Sequence, residues 1–391
     1  MNLLFIQGGS RVRKSINGSF FVDGNFNNSI WKRYKSYCDN LCVILRKSPE
    51  EFEEDFLEKK FNRIDTSLMD LKLVSDIYSP KLNFVNLSKR SEIKKVIEES
   101  VREADFIIIR SIGNFYTNTA LKYCKKYNKR YLIEVTGFAF DGLWYQGILG
   151  KIVALPRELY LKRSLKKAPY AVYVTEEALQ KRYPTQGSSL GCSDVEIKDD
   201  DFVDKKVAKK IIIGTAAFLD VKWKGQENVI RAVSLLKKRG YDNVEYQLVG
   251  SGNGEKLKKL IQNLNLEESV KIVGALKHEE VFNWLKGIDI YIQPSYQEGL
   301  CRSIVEAMSV GCPVICSNVG GNYELINQDY IYEKHDYGSL ADKIESLMKS
   351  ETDYKSERKR NYEFSKKFSP GILNKKRNEF YEKVINGEEI N

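Results

Sequence analysis

Histidine is almost missing from this chain: 391 residues contain only His278 and His335. Both lie in the second half, so chemistry built on a histidine base has few places to sit. His278 falls in the polar run Lys277-His278-Glu279-Glu280 and reads as a solvated surface residue. Proline is scarce at 8 residues and glycine modest at 26. With 30% charged residues of mixed sign, that composition excludes collagen-like, low-complexity and disordered chains. No apolar run approaches the roughly 18 residues of a membrane-spanning helix. Met1 to Gln7 is too short an apolar stretch for a signal peptide and lacks a basic flank. The seven cysteines, Cys38, Cys42, Cys124, Cys192, Cys301, Cys312 and Cys316, are odd in number and form no C-x-x-C pair. The spacings Cys38/Cys42 and Cys312/Cys316 have no nearby histidines to complete a zinc site. Free thiols in a reducing compartment, and hence a cytosolic protein, are the expectation.

What is present begins with size and charge. At about 150 residues per domain the length suits two domains of similar size. Lys plus Arg (63) exceed Asp plus Glu (53), a net charge of +10. The basic excess, together with 23 Tyr and 18 Phe, admits nucleic-acid binding in principle. No DNA- or RNA-binding module pattern occurs and acids are interspersed among the bases, so no nucleic-acid partner is expected.

Short β-rich bursts recur along the first half at Leu3 to Ile6, Leu41 to Leu45, Phe106 to Ile109, Tyr131 to Val135 and Ala171 to Val174. The first runs into Gly8-Gly9-Ser10 and reads as a buried strand ending in a glycine turn. Between bursts lie helical spacings, such as Glu92 to Glu103 with Ile93, Val96 and Ile97 on one side. That alternation predicts parallel βαβ units. The stretch Gln186-Gly187-Ser188-Ser189, then Asp199-Asp200-Asp201 and Lys205 to Lys210, reads as a linker. The rhythm restarts at Ile211 to Phe218, Val244 to Gly250, Val270 to Leu276, Ile288 to Pro294 and Pro313 to Ser317. The expected fold is α/β, with two doubly wound Rossmann-like domains, 1–190 and 191–365, facing a central cleft. A final helix in 366–391 is expected to pack back across the domain junction. Open parallel sheets bind ligands outside the carboxyl ends of their strands, so the site is expected in the cleft.

The densest signal is the stretch from Pro294 to Met308. A strand ends at Pro294, a loop carries Glu298-Gly299, and a helix follows from about Cys301. Glu306 stands about one turn into that helix, so both carboxylates can reach a ligand at its start. A helix start offers free N–H groups and partial positive charge, which suits phosphate, and Gly299 permits close backbone approach. Two carboxylates beside a phosphate make sense if they accept hydrogen bonds from sugar hydroxyls. The alternative from spacing alone is a solvated loop acid and a helix-surface acid.

This stretch resembles the Glu-x7-Glu signature of the family 4 retaining glycosyltransferases (glycosyltransferase group 1), whose fold is GT-B. Lys222-Trp223-Lys224-Gly225-Gln226-Glu227 resembles the family's Lys-Gly segment, Leu248-Val249-Gly250-Ser251-Gly252 its Gly-x-Gly turn, and Val270 to Gly274 its Val-x-x-x-Gly strand. Asp289 to Pro294, Ala307 to Pro313 and Gly320-Gly321 to Glu324 continue the match in order. The resemblance implies that Glu298 faces the donor sugar, that Glu306 holds the ribose diol, and that Lys224 neutralises the donor diphosphate. It places Gly225, Gly250, Gly252 and the amides of Gly299, Leu300, Cys301 and Arg302 at the donor. It implies no metal and no cofactor beyond the nucleotide-sugar itself. Asp199-Asp200-Asp201 contains a formal Asp-x-Asp, but in a charged linker, where solvation is the expected role.

Two departures stand out. Where many members carry an arginine this chain has Phe218, so Lys222 or Arg302 is the candidate for a second positive charge. The first half lacks the family's usual histidine near the donor sugar. Glu134 or Asp141, in the segment Glu134 to Asp141 that closes a strand and is expected to face the cleft, could contact sugar or acceptor instead, or simply orient the loop. Gly8 and Gly9 resemble the family's first-domain glycine loop, or form a plain turn. Lys151, Arg157, Lys162, Arg163, Lys166 and Lys167 stand with one acid, Glu158, among Ile152, Val153, Leu155, Leu159, Tyr160, Leu161 and Leu165. Such a stretch suits either an anionic membrane surface or an ordinary solvated helix face. The resemblance as a whole implies a retaining, metal-independent hexosyltransferase. Its donor is a nucleotide-diphosphate sugar, with UDP favoured. Its acceptor is a saccharide, with a polyprenyl-diphosphate-linked one in view, in polysaccharide biosynthesis at the inner membrane face. A GT-B epimerase or phosphorylase is the nearest alternative.

Overall fold

The computed structural model describes residues 1–23, 26–145, 147–198, 202 and 204–388. Two sheets organise it. In the first, β1 (Asn2–Ser15), β3 (Asn40–Phe52), β5 (Asp70–Ser75), β6 (Phe106–Arg110), β7 (Arg130–Val135), β8 (Tyr170–Tyr173) and β9 (Ser188–Gly191) pair in parallel in the order β5-β3-β1-β6-β7-β8-β9. Two short antiparallel strands, β2 (Phe20–Val22) and β4 (Asn62–Arg63), extend the sheet beyond the far half of β1. The second sheet comprises β10 (Ile211–Ala216), β11 (Val244–Val249), β12 (Val270–Gly274), β13 (Ile290–Gln293), β14 (Val314–Ser317) and β15 (Ile331–Tyr332). All six are parallel, in the order β12-β11-β10-β13-β14-β15.

The reason lies in composition. Phe106-Ile107-Ile108-Ile109 and Ile290-Tyr291-Ile292-Gln293 are buried at every position, as strands covered by helices on both faces must be. The second sheet has the Rossmann order, reversing direction between β10 and β13; the first reverses between β1 and β6. Ligands of such sheets sit above the strand ends flanking the reversal. The loops after β10 and β13 are therefore the ones to inspect in the second domain, and those after β1 and β6 in the first.

Two expectations are corrected. β1 does not stop at a glycine turn: its pairing with β3 shifts register between Ile6 and Arg11 and then continues to Ser15. Gly8 and Gly9 lie in that irregularity, a bulge rather than a strand terminus. Ser188 and Ser189, read as linker, form β9 at the edge of the first sheet, with Tyr170 opposite Ser188. The chain between the sheets is thus 192–210.

The helix Pro370–Asn386 lies on the first domain. Arg377 donates to the Ser193 carbonyl at 2.6 Å, Lys376 pairs with Glu176 at 2.8 Å, and Tyr381 stacks on Tyr37 at 5.2 Å between ring centroids. Among the described residues, no helix is long and apolar enough to cross a membrane.

Candidate active site in the interdomain cleft

The loop after β10 holds the single turn Lys222–Lys224 and then Gly225, from which the helix Gln226–Lys238 departs. Gly225 has φ of +69°, and a Cβ there would stand 2.0 Å from the Pro294 carbonyl oxygen. Only glycine meets both conditions, and its fit presses the β10 loop against the β13 loop. The Tyr296 amide completes the contact by donating to the Trp223 carbonyl at 2.7 Å.

That contact brings Lys224 and Glu298 together, Nζ to Oε1, at 2.7 Å. Gln293, the last residue of β13, donates through Nε2 to the same carboxylate oxygen at 3.2 Å and to Ser295 Oγ at 2.8 Å. Burial works against the Lys224 charge, but the Glu298 carboxylate outweighs it and holds the ammonium pKa above its ordinary value. The ammonium is thus charged at neutral pH, and the pair is fixed by packing on both sides.

Beyond Glu298 the chain passes close beneath the first domain. A Cβ on Gly299 would lie 2.5 Å from the Thr136 carbonyl oxygen, across the domain boundary. The Gly321 amide donates to the Gly299 carbonyl at 2.7 Å, which pins the loop from behind. The helix Arg302–Ser309 then starts at Cys301. Burial pushes the Cys301 thiol up to about 12, so at neutral pH it stays an uncharged packing group. Glu306 is half-buried one turn into this helix, while Arg302 and Lys222 are exposed.

Lys224, Glu298 and Gly299 line a cavity of about 260 Å³ between the domains, together with Trp223 and Gln297. Its opposite wall comes from the first domain: Ser111 and Ile112 after β6, Thr136 to Ala139 after β7, and Arg157. Ser111 Oγ and Thr136 Oγ1 are 2.6 Å apart.

The other sequence candidates are placed as follows. Glu134 borders the cavity, but both its oxygens are engaged inside the first domain. They accept from the Tyr34 hydroxyl at 2.7 Å and from Arg110 at 2.6 Å, and also from Tyr381. A carboxylate so occupied orients its surroundings rather than offering an acceptor to a sugar. Asp141 pairs with Arg182 at 3.1 Å and lines a separate recess with Phe138, Lys181, Gly320 and Tyr323; burial raises its pKa. Gly8 packs so closely on Asn114 that a Cβ would stand 2.2 Å from its Oδ1. The amides of Gly9 and Ser10 already donate to Gln7 Oε1, at 2.5 and 3.0 Å. Gly250 needs its lack of a Cβ because the Ala217 carbonyl oxygen would be 1.9 Å away, and Gly252 because Asp220 Oδ2 would be 2.7 Å away. Asp220 itself accepts from the amides of Asn253 and Gly254 at 2.9 and 2.8 Å, so this turn braces the β10 loop. Phe218 is exposed. Asp199, Asp200 and Asp201 lie outside the described residues.

Comparison with known proteins bears on what these loops are. Protein CapJ of Staphylococcus aureus is 33% identical over 319 residues, 81% of this chain and 79% of CapJ. The family model "Glycosyl transferases group 1" matches residues 196–367, which contain the Lys224 and Glu298 loops. The chain belongs to the group 1 glycosyltransferases. A shorter match, 34% identical over 140 residues and about a third of each chain, links this glycosyltransferase to the amylovoran biosynthesis glycosyltransferase AmsK of Erwinia amylovora. Among solved structures, Anabaena HepE in complex with UDP-glucose superposes with a TM-score of 0.65 at 16% identity, covering 97% of this chain and 99% of HepE. At that identity the likeness concerns the fold alone: the glycosyltransferase has the GT-B arrangement of two Rossmann-like domains about a cleft.

Sequence reasoning placed the segment containing Thr136 at the cleft but did not single out Ser111, Gln297 or Arg157 as cavity residues. Ser111 and Thr136 directly follow β6 and β7, and that position was their available signal, whereas Gln297 stands four residues beyond the end of β13. Arg157 sits in a helix and had none.

Proposed function

We propose that this glycosyltransferase moves a hexosyl group from a UDP-sugar to a saccharide acceptor with retention of anomeric configuration, in the synthesis of a surface polysaccharide. The observation that carries the reading is the Lys224–Glu298 pair, 2.7 Å apart, at the strand ends flanking the reversal of the second sheet. In this reading the donor diphosphate lies against Lys224 and the amides from Gly299 to Arg302, with the ribose diol on Glu306. As the leaving diphosphate gains charge, the fixed ammonium and backbone donors stabilise it without having to reorganise. Glu298 then accepts from donor-sugar hydroxyls, and no metal takes part. The relatives support the wider assignment: HepE was solved with UDP-glucose, and AmsK is an amylovoran biosynthesis glycosyltransferase.

The proposal extends to a lipid-linked acceptor at an anionic membrane surface, because the helix Ile148–Lys166 presents the wrong face to solvent for an ordinary surface helix. It buries Gly150, Ala154, Glu158, Leu161, Ser164 and Leu165, and leaves Ile148 (79%), Leu149 (76%) and Ile152 (66%) exposed. Lys151, Lys162, Arg163 and Lys166 are placed on the same helix. An apolar stripe beside lysines matches an anionic lipid surface.

Thermal unfolding with UDP, GDP and ADP tests the donor site. A ligand at 100 times its Kd stabilises by about 2.7 kcal/mol, so UDP is expected to raise the melting temperature by several degrees. Failure of every nucleotide to do so in folded protein would refute the reading. Sedimentation with phosphatidylglycerol vesicles, against phosphatidylcholine vesicles, tests the membrane surface, and equal recovery with both counts against it.

A further inference from the structure

Arg157 was expected on a basic helix face, yet it projects into the cleft. It lines the same cavity as Lys224 and Glu298, from the opposite wall. Its side chain packs against Gly113, where a Cβ would stand 2.7 Å from Arg157 Nε; Gly113 has φ of +108°. Packing therefore holds the guanidinium, and polar partners do not. Nε is buried without a hydrogen-bond partner, and among the described residues no carboxylate stands within ion-pair distance. Burial lowers its pKa, opposed by Tyr78 and Tyr183 but by no carboxylate.

A charge account of the cavity isolates this group. Glu298 is matched by Lys224 and Glu134 by Arg110. Half-buried Arg157 is left as an uncompensated positive charge, and a charge drawn partly out of water without a counter-charge is costly. A guanidinium presents a planar fork of donors that fits phosphate or carboxylate in bidentate fashion. The Ser111 and Thr136 hydroxyls stand on the same wall.

We propose that Arg157 binds an anionic group, phosphoryl or carboxylate, of a substrate in the cleft, and so restricts this enzyme to a charged substrate. The inference rests on the donor-and-acceptor reading of the cleft given above. Lys224 already serves the second-domain wall, so the first-domain position of Arg157 favours the acceptor as the source of that anion. A diphosphate or uronic-acid group on the donor is the other source.

Calorimetric titrations of the wild type, Arg157→Lys and Arg157→Gln separate these. In the donor arm, UDP and UDP-glucuronate are titrated into the free protein. In the acceptor arm, farnesyl diphosphate and glucuronate are titrated into UDP-saturated protein, with farnesol and glucose as neutral controls. Arg157→Gln is expected to keep its UDP affinity and to lose tenfold to a hundredfold toward one anionic acceptor probe, the range for a charge-assisted bond. Arg157→Lys should fall between. A comparable loss confined to the donor arm supports the anion site and assigns it to the donor. Because Arg157 has no partner to strand, Arg157→Gln should melt no lower than the wild type, which separates binding from a structural role. Indistinguishable affinities of Arg157→Gln and wild type in every titration would overturn the inference. Failure of the wild type to bind any UDP ligand is a different result, which defeats the reading of the cleft itself.

Discussion

Glu324 offers the sharpest test of how the two domains are held. It stands in the second domain, in the turn Asn322–Glu324 that follows Gly320-Gly321. Its carboxylate accepts three backbone amides of the first domain: Glu176 at 2.7 Å, Glu177 at 3.2 Å and Ala178 at 2.6 Å. These amides lie at the start of the helix Ala178–Arg182, where Thr175 Oγ1 takes only the Leu179 amide at 3.0 Å, so an acid from the other domain completes the cap. The same turn supports the donor loop, since a Cβ on Gly320 would lie 2.1 Å from the Glu298 carbonyl oxygen. Closure of the cleft and placement of Glu298 therefore share one element.

Replacing Glu324 with Ala removes all three bonds. Buried charge-assisted bonds are worth about 1.5–3 kcal/mol each, but two of these lie at the surface, where solvent screening cuts their worth. A total of about 2 kcal/mol is the working figure, roughly a thirtyfold shift in the balance between closed and open cleft at about 1.4 kcal/mol per decade. Hydrogen exchange should show faster exchange at the amides of Glu176, Glu177 and Ala178, and small-angle scattering a larger radius of gyration. UDP affinity, which draws on second-domain groups, should change much less than turnover. Unchanged protection at those three amides together with an unchanged radius would refute the latch.

Gly225→Ala forces a Cβ into the Pro294 carbonyl and a left-handed backbone onto alanine; a cost of about 3 kcal/mol or more is expected, with loss of UDP binding as Lys224 is displaced. Lys224→Gln should lower kcat by about a hundredfold or more while the melting temperature moves far less than in Gly225→Ala, as read by steady-state kinetics beside thermal unfolding. Asp194 is destabilised by burial but held ionised by Arg110, Arg33 and Arg377, so its pKa lies well below the usual carboxylate range. A depressed folded pKa contributes stability that is fully present above the unfolded value of about 4 and is lost as pH falls below it. The gap in unfolding free energy between wild type and Asp194→Asn, measured by urea titration, should be constant from pH 7 to 5. It should then narrow by up to about 1.4 kcal/mol per pH unit in stronger acid.

The second domain was legible because strands such as β13 and β14 are buried on both faces and read as short unbroken runs. The first domain was less so wherever pairing, not composition, decides the structure. Ser188 to Gly191 has the polar, glycine-containing character of a linker, yet it forms a strand because β8 leaves an edge with Tyr170 to Tyr173 in register. The glycines after Ile6 look like a strand terminus. The strand resumes because β3 runs on to Phe52, pairing Arg11 with Arg46 and Lys14 with Glu51.

The site divides along the same line. Lys224 and Glu298 follow from a spacing, because each sits in a loop fixed by the end of a buried strand and by glycine contacts that tolerate no side chain. Arg157 could not follow from any spacing. Hydrophobic character alone would turn the leucines and isoleucines of the helix Ile148–Lys166 inward; Leu161 and Leu165 are buried, but Ile148, Leu149, Ile152, Leu155 and Leu159 face solvent. Glu158 is buried because Arg182 meets it at 2.8 Å and the Tyr183 hydroxyl donates to it at 2.6 Å. With Glu158 turned inward, Arg157 is carried toward Gly113 and the cleft, while Leu155 and Leu159 turn to solvent. One buried acid, satisfied by partners 24 and 25 residues away in sequence, thus sets the rotation of the helix. That rotation places both the unpaired guanidinium at the cavity and the apolar stripe on the surface, so a change of Glu158 should disturb substrate selection and membrane contact together.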